Sequence, residues 1–250
     1  MSDPNEPSMS SVLHSALRLI YPPRCLTCPE LVEDDFGLCG SCWRDTPFIS
    51  GLVCYSCGVP LPGEDTGEPE TCDECLRIAR PWVQGRAALL YKDLGRKLVL
   101  SLKHGDRTDL AKPAAHWLAR AAQPMLRPNM LIAPVPLHWS RMLKRRFNQS
   151  AVLAEALAKH LNLSYCPDLL VRSRRTPSLD GLGFDARFQA TDGAIKPNPV
   201  RAELAKDRPV LLVDDVMTAG ATLSACTQAT YAAGAKEVCV LALARVAKDT

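Results

Sequence analysis

No stretch of this sequence runs for roughly eighteen or more uncharged apolar residues, so no segment reads as a membrane span. Its first residues, "MSDPNEPSMSS", are acidic and polar, with neither a basic start nor a small-residue cleavage pattern. That argues against a secretory signal and sets the expectation of a cytoplasmic protein. No G-x-x-x-x-G-K-[ST] occurs anywhere, which excludes a P-loop nucleotide triphosphatase. Cysteine is scarce outside one stretch: of 11 in the chain, only Cys166, Cys226 and Cys239 lie beyond residue 75. These three are isolated and are expected to be small buried apolar residues. The remainder is ordinary for a globular chain: 250 residues and 47% apolar content allow one large domain, or a medium one with a small appendage.

Charge is unevenly spread. Residues 1–80 carry 13 acidic and 5 basic side chains, a net of −8, whereas residues 81–250 carry 14 and 25, a net of +11. The second part has the electrostatics of a surface that meets anions, either phosphates or nucleic acid. A generically basic surface explains the same numbers.

The eight remaining cysteines form four C-x-x-C pairs: Cys25/Cys28, Cys39/Cys42, Cys54/Cys57 and Cys72/Cys75. Each pair can present two thiolates to one tetrahedral ion, and two pairs complete a four-sulfur zinc site. A sequential assignment gives Cys25, Cys28, Cys39 and Cys42 to one Zn2+ and Cys54, Cys57, Cys72 and Cys75 to a second; an interleaved cross-brace fits the spacing too. A disulfide framework conflicts with the missing secretory signal, and four thioredoxin-like motifs without a βαβ unit make no sense. Apolar content between the pairs is thin, so metal is expected to supply much of the folding energy. A closed four-cysteine site leaves no position for substrate, so this part is structural or an interaction surface. Cysteines end at 75, a polar loop "GEDTGEPE" spans 63–70, and a boundary is expected near residues 80–82. The expected layout is an N-terminal segment with a short helix (1–20), a double zinc ribbon (21–80) and a larger domain (81–250).

That larger domain alternates. Strands are expected at 85–91, 130–137, 210–213 and 237–245, and helices at 92–106, 110–124, 140–162 and 220–234. The long helix carries an apolar stripe through Leu143, Phe147, Ala151, Ala154 and Leu157, and residues 172–208 look irregular. This order means an α/β domain with a doubly wound parallel sheet.

In such sheets ligands sit beyond the carboxyl ends of the strands. In "VLLVDDVMTAGATL" (210–223) an apolar strand ends at Asp214 and Asp215, and only small side chains follow from Thr218 to Thr222 before a helix. Backbone amides and the helix N-terminus make an anion cradle there, which Thr218 and Thr222 extend with hydroxyls. Two carboxylates suit vicinal ribose hydroxyls, so the stretch as a whole suits a ribose 5-phosphate. A magnesium arm lacks its P-loop, a phospho-acceptor Asp lacks its companion acids, and plain strand–helix packing is the bland reading. "GLGFDA" (181–186) matches a dinucleotide fingerprint formally but follows no strand.

This stretch resembles the signature of type I phosphoribosyltransferases: four apolar residues, two acids and a Thr-x-Gly-x-Thr turn. Together with the cysteine-rich front, the whole chain resembles the ComF family (ComFC/GntX-like proteins), a double zinc ribbon ahead of a phosphoribosyltransferase domain, associated with natural competence and the use of external DNA. Further matching blocks are "LKHGDR" (102–107), "APVPLHWSRMLKRRFNQS" (133–150) and "RRTPSLDGL" (174–182) with Arg187. The chain departs from the family's usual form at Arg145-Arg146-Phe147, where Arg-Gly usually precedes Phe, and in lacking Gln near Ser178–Asp180.

The resemblance implies a glycosyltransferase-type enzyme acting on phosphoribosyl pyrophosphate (PRPP) with Mg2+. Asp214 and Asp215 would hold the ribose hydroxyls, and Met217, Thr218, Ala219, Gly220, Ala221 and Thr222 the 5-phosphate. Pro136, Leu137, His138 and Arg141 would face pyrophosphate. A mobile hood over 172–188 would carry Arg172, Arg174, Arg175 and Arg187, with Arg141 and Arg187 joining the acids in catalysis. The competing reading is a non-catalytic PRPP sensor, or an adaptor gripping single-stranded DNA through "SRMLKRR" (140–146) while the zinc ribbons dock competence or DNA-uptake proteins.

Overall fold

The computed structural model describes residues 21–33, 35, 37–104, 107–138, 147–174, 176, 181 and 183–247. The helix expected within 1–20 lies outside them. In chain order the helices and strands are α1 (Gly40–Asp45), α2 (Asp73–Arg77), β1 (Gln84–Leu90), α3 (Asp93–His104), α4 (Ala111–Ala122), β2 (Leu131–Pro134), α5 (Gln149–Leu161), β3 (Ser164–Tyr165), β4 (Leu170–Arg172), α6 (Phe184–Thr191), β5 (Ile195–Pro197), β6 (Pro209–Met217), α7 (Ala221–Ala232) and β7 (Glu237–Arg245). Among the described residues, no helix is long and apolar enough to cross a membrane.

Strands β6 and β7 show no side-chain alternation because both of their faces are covered. Val210 to Val213 and Val238 to Ala242 are fully buried, as in the interior strands of parallel sheets. The sheet has the order β1-β7-β6-β2-β3 and every pairing is parallel. On one face Val210, Leu212, Val238 and Val240 pack with Leu223, Cys226 and Ala229 of α7. Strand alternation turns Leu211 and Val213 to the other face, and α4 and α5 lie against β1, β2, β6 and β7. The domain is therefore an α/β fold with helices on both faces of a parallel sheet. Cys166, Cys226 and Cys239 are all buried in it, as expected of small apolar residues.

By packing, the chain divides into two units, 1–46 and 47–250. The first unit holds Cys25 to Cys42 and α1, with Cys25 N–H donating to Glu30 O at 2.8 Å to close the first knuckle. In the second unit, the Cys54–Cys57 knuckle is part of the sheet's own hydrophobic core, where both cysteines are wholly buried. It lies directly on β1. Gly85 N–H donates to Tyr55 O at 3.1 Å, and the Trp82 indole Nε1–H donates to Ser56 O.

Glycines permit that approach. Gly58 has φ +69°, and a Cβ there would stand 2.8 Å from Arg86 Cα and 2.9 Å from Ala87 N. Strand β1 cannot retreat, since it is paired along its length with β7. Gly58→Ala is thus expected to cost about 2–4 kcal/mol from left-handed strain plus a backbone clash. Gly40→Ala, with nothing within 4 Å, should be nearly neutral by the same thermal melt.

Three expectations need correction. Of the helix expected over 140–162, residues 140–146 lie outside the described residues, and the helix that ends at Leu161 begins at Gln149, because Asn148 caps it. Its side chain accepts from Ser150 N–H at 3.1 Å, and its Nδ2 donates to Val135 O at 3.0 Å, anchoring the helix start to the end of β2. Phe147 therefore precedes the helix, while Leu143 lies outside the described residues. The stretch 172–208 contains α6 and β5, elements too short to show periodicity. Strand β6 runs on through both acids to Met217, held by the pairs Asp214↔Ala242 and Val216↔Ala244.

Candidate functional site

Strand β6 delivers Asp214 and Asp215 near its carboxyl end, beyond the layer of wholly buried side chains. The chain then turns through 218–220, where Gly220 is left-handed at φ 82°, and enters α7. No side chain caps the start of α7 and no acid occupies its first turn. Its orphan amides and the positive end of its dipole are therefore available to an anion. Met217, Thr218, Ala219, Gly220, Ala221 and Thr222 thus form one continuous strand–turn–helix beside the acids.

The two carboxylates are held differently. Ser150 Oγ donates to Asp214 Oδ1 at 2.8 Å, and Asp215 N–H donates to the same oxygen at 2.9 Å. Asp215 pairs with Lys103 Nζ at 3.3 Å, both side chains being largely buried. Burial first, and the Asp215 charge second, push Asp214 up to about 7. Two acids so close in a desolvated corner are poised for a ligand that supplies hydroxyl donors.

The turn after β2 lies beside this end of β6. Val135 N–H donates to Val213 O at 2.9 Å, and Pro136, Leu137 and the buried His138 follow. Arg141 lies outside the described residues, as do Arg175 and the run 139–146. Arg187 sits on α6, whose last residue, Thr191, reaches Ala221 O through its hydroxyl at 3.4 Å. On the opposite side Arg172 Nε donates to Pro136 O at 3.1 Å. Arg172 is thereby tied to the turn after β2, and Thr191 to the start of α7. Arg174 instead binds Asp192 O at 2.7 Å.

Ser150 and Lys103, which contact the two acids, were not assigned a role from the sequence. Both fall within the matching blocks 133–150 and 102–107, the only signal available for them. Arg80, Trp82 and Arg245 were missed too. They line the underside of the turn, and a Cβ on Gly220 would meet Trp82 Cη2 at 2.9 Å and Arg80 Nη1 at 3.2 Å. Because Trp82 is itself buried and cannot yield, Gly220→Ala is expected to displace the turn and lower stability by about 2–3 kcal/mol in a thermal melt.

The cysteines assemble sequentially. The sulfurs of Cys25, Cys28, Cys39 and Cys42 lie within 4.8 Å of one another, and so do those of Cys54, Cys57, Cys72 and Cys75. Within the second set, hydrogen bonds from Cys57 and Cys75 pull Cys54 far below the ordinary thiol range, while the bond to Cys54 drives Cys75 far above it. Four thiols this crowded cannot all ionise without a cation among them, which fits a tetrahedral thiophilic ion. Short helices α1 and α2 follow Cys39 and Cys72, and those residues take the N-cap positions.

Comparison with known proteins agrees with this layout. Residues 16–76 match the model of the double zinc ribbon domain. The chain is 30% identical to the DNA utilization protein YhgH of Salmonella typhi over 236 residues, covering 91% of this chain and 99% of that protein. It is 27% identical to competence protein F of Haemophilus influenzae over 228 residues, covering 89% and 96%. Among solved structures, a hypoxanthine phosphoribosyltransferase from Staphylococcus aureus aligns at TM-score 0.35 and 12% identity, over 54% of this chain and 62% of that one. With a zinc-ribbon front, a parallel α/β domain behind it and near-complete coverage of such relatives, the chain belongs to the ComF family of competence and DNA-utilization proteins.

Proposed function

We propose that this chain binds PRPP with its magnesium ion and transfers the phosphoribosyl group to an acceptor. The observation that carries the reading is the junction of β6 and α7, where two acids stand next to an uncapped helix start. Amides of 218–222 and the hydroxyls of Thr218 and Thr222 hold the 5-phosphate. Asp214 and Asp215 accept from the ribose 2- and 3-hydroxyls. The turn 136–138, with Arg141, faces pyrophosphate, and the hood 172–188 closes over the ligand. Magnesium arrives with the substrate and shields pyrophosphate charge.

In the reaction the bond from C1 to pyrophosphate breaks, and its electron pair leaves with the pyrophosphate. The ribosyl cation this creates is flanked by the two carboxylates, and Arg187 and Arg141 stabilise the departing anion. A lone pair of the acceptor forms the new bond to C1, and the acceptor's proton passes to solvent. Held groups and fixed charges supply the rate enhancement.

A second reading keeps PRPP as a sensed ligand and adds single-stranded DNA. It draws on the net +11 of residues 81–250 and on the names of the relatives. Calorimetric titration with PRPP and Mg2+ tests the site, and a chain that gives no heat refutes the binding. Pyrophosphate release across a panel of bases and amines then tests transfer. PRPP heat without release from any acceptor favours the sensor, and DNA affinity that falls steeply with salt favours the adaptor. Two zinc ions in the cysteine clusters complete the cofactor set.

A further inference from the structure

Two buried arginines join the second cysteine cluster to the turn 217–220. Arg80 sends Nε to Cys75 Sγ at 3.3 Å, Nη1 to Ala219 O at 2.6 Å and Nη2 to Glu74 Oε1 at 2.6 Å. Arg245, at the end of β7, sends Nη2 to Cys57 Sγ at 3.7 Å. Its Nη1 reaches Thr218 O at 2.7 Å, with Met217 O at 3.4 Å and Val246 O sharing the same donor. Arg245 is 4% exposed, and the Arg80 side chain 2%. Among the described residues no carboxylate is a hydrogen-bond partner of Arg245.

A buried guanidinium without a carboxylate needs another counter-charge. Four thiolates around one divalent ion retain two excess negative charges, and N–H groups aimed at the sulfurs are the usual partners of such a site. The same guanidinium groups hold the carbonyls of Met217, Thr218 and Ala219, so these peptide units turn their oxygens toward the cluster. Peptide geometry then directs the neighbouring amides away from it.

We propose that Arg80 and Arg245 are positioning residues that make the second cysteine cluster the support of the turn 217–220, so that zinc held there and ligand bound at that turn stabilise each other. The ligand half rests on the PRPP reading; the link from metal to turn does not. Each guanidinium spans a cluster sulfur and a turn carbonyl, so displacement of the sulfurs when zinc leaves loosens the carbonyls the arginines hold.

The experiment uses the full zinc-loaded chain and its Arg80→Met and Arg245→Met variants. Zinc release to a chelator is followed alongside hydrogen exchange at the amides of 217–222. Cys28→Ser, which disables the first cluster, assigns the two release phases. Each Met variant is expected to speed release from the second cluster about tenfold, equivalent to about 1.4 kcal/mol. Exchange at the turn should accelerate by a similar factor, and release from the first cluster should not change. By linkage, saturating PRPP should slow release from the second cluster in the wild type and lose that effect in Arg245→Met.

If both variants release zinc and exchange the turn within twofold of the wild type, the proposal is overturned. If the variants behave as expected but PRPP alters nothing in the wild type, calorimetry decides: PRPP heat refutes the mutual stabilisation, and no heat refutes the PRPP reading while the support of the turn stands. Should a Met variant not fold, Arg80→Lys and Arg245→Lys keep the charge but cannot span sulfur and carbonyl together. Faster exchange at 217–222 in these supports the link, and wild-type exchange refutes it.

Discussion

Asp214→Asn is expected to weaken PRPP binding at least about 100-fold by calorimetry while leaving the chain folded and, at pH 8, more stable than the wild type. Both donors to Asp214, Ser150 Oγ and Asp215 N–H, go to Oδ1, an oxygen that asparagine keeps. Its Nδ2 replaces the second carboxylate oxygen with a donor, so a ribose hydroxyl meets a donor where it needs an acceptor. The stability change follows from the raised pKa. An unfolded aspartate titrates near 3.8, whereas Asp214 in the fold titrates near 7. Its contribution is fully present below the unfolded value and is lost as pH rises through the folded one. At pH 8 the wild type holds a desolvated charge beside Asp215, and Asn removes it. The melting temperature of Asp214→Asn should therefore exceed the wild-type value at pH 8 and converge with it toward pH 4. A variant that melts lower at pH 8 contradicts the buried charge; one that still binds PRPP normally contradicts its role.

Metal removal is expected to have an equally large effect. Gently purified protein should contain two zinc ions per chain by elemental analysis, one for each set of four sulfurs. A strong chelator should lower the melting temperature by more than about 10 °C, since structural zinc supplies many kcal/mol where a preformed core is thin. The reason differs between the clusters. In the first unit, Leu31 and Trp43 are exposed rather than packed in a core, so the ion substitutes for one. In the second, Cys54 and Cys57 belong to the core that covers the sheet, so loss of the ion leaves repelling or reprotonated thiols against Trp82, Ala87 and Val240. Acidification should act in the same direction, because the ligands bind metal only when deprotonated. A metal-free chain that melts at the same temperature would sink the zinc assignment for both clusters.

Much of the fold was legible because it rests on local pattern. The four C-x-x-C pairs announced two four-sulfur sites, and the apolar runs 210–213 and 237–245 announced doubly covered strands. A run of small residues after two acids announced a tight turn into a helix. Asn148 shows where legibility ended. Read along the chain it sits inside a helical pattern, but the pull of Val135 O and the cap it offers Ser150 start the helix there. The short elements of 172–208 had no period to read.

By itself, then, the sequence determined which cysteines could hold metal, which strand carries the acids and which turn follows them, since each depends on neighbours a few positions away. Only the tertiary structure decided that thiols of the second cluster and carbonyls of the turn share the same two guanidinium groups. Cys57 and Arg245 are separated by 188 residues. A hydrogen bond across that distance leaves no periodicity in the chain and exists only once β7 has paired between β1 and β6.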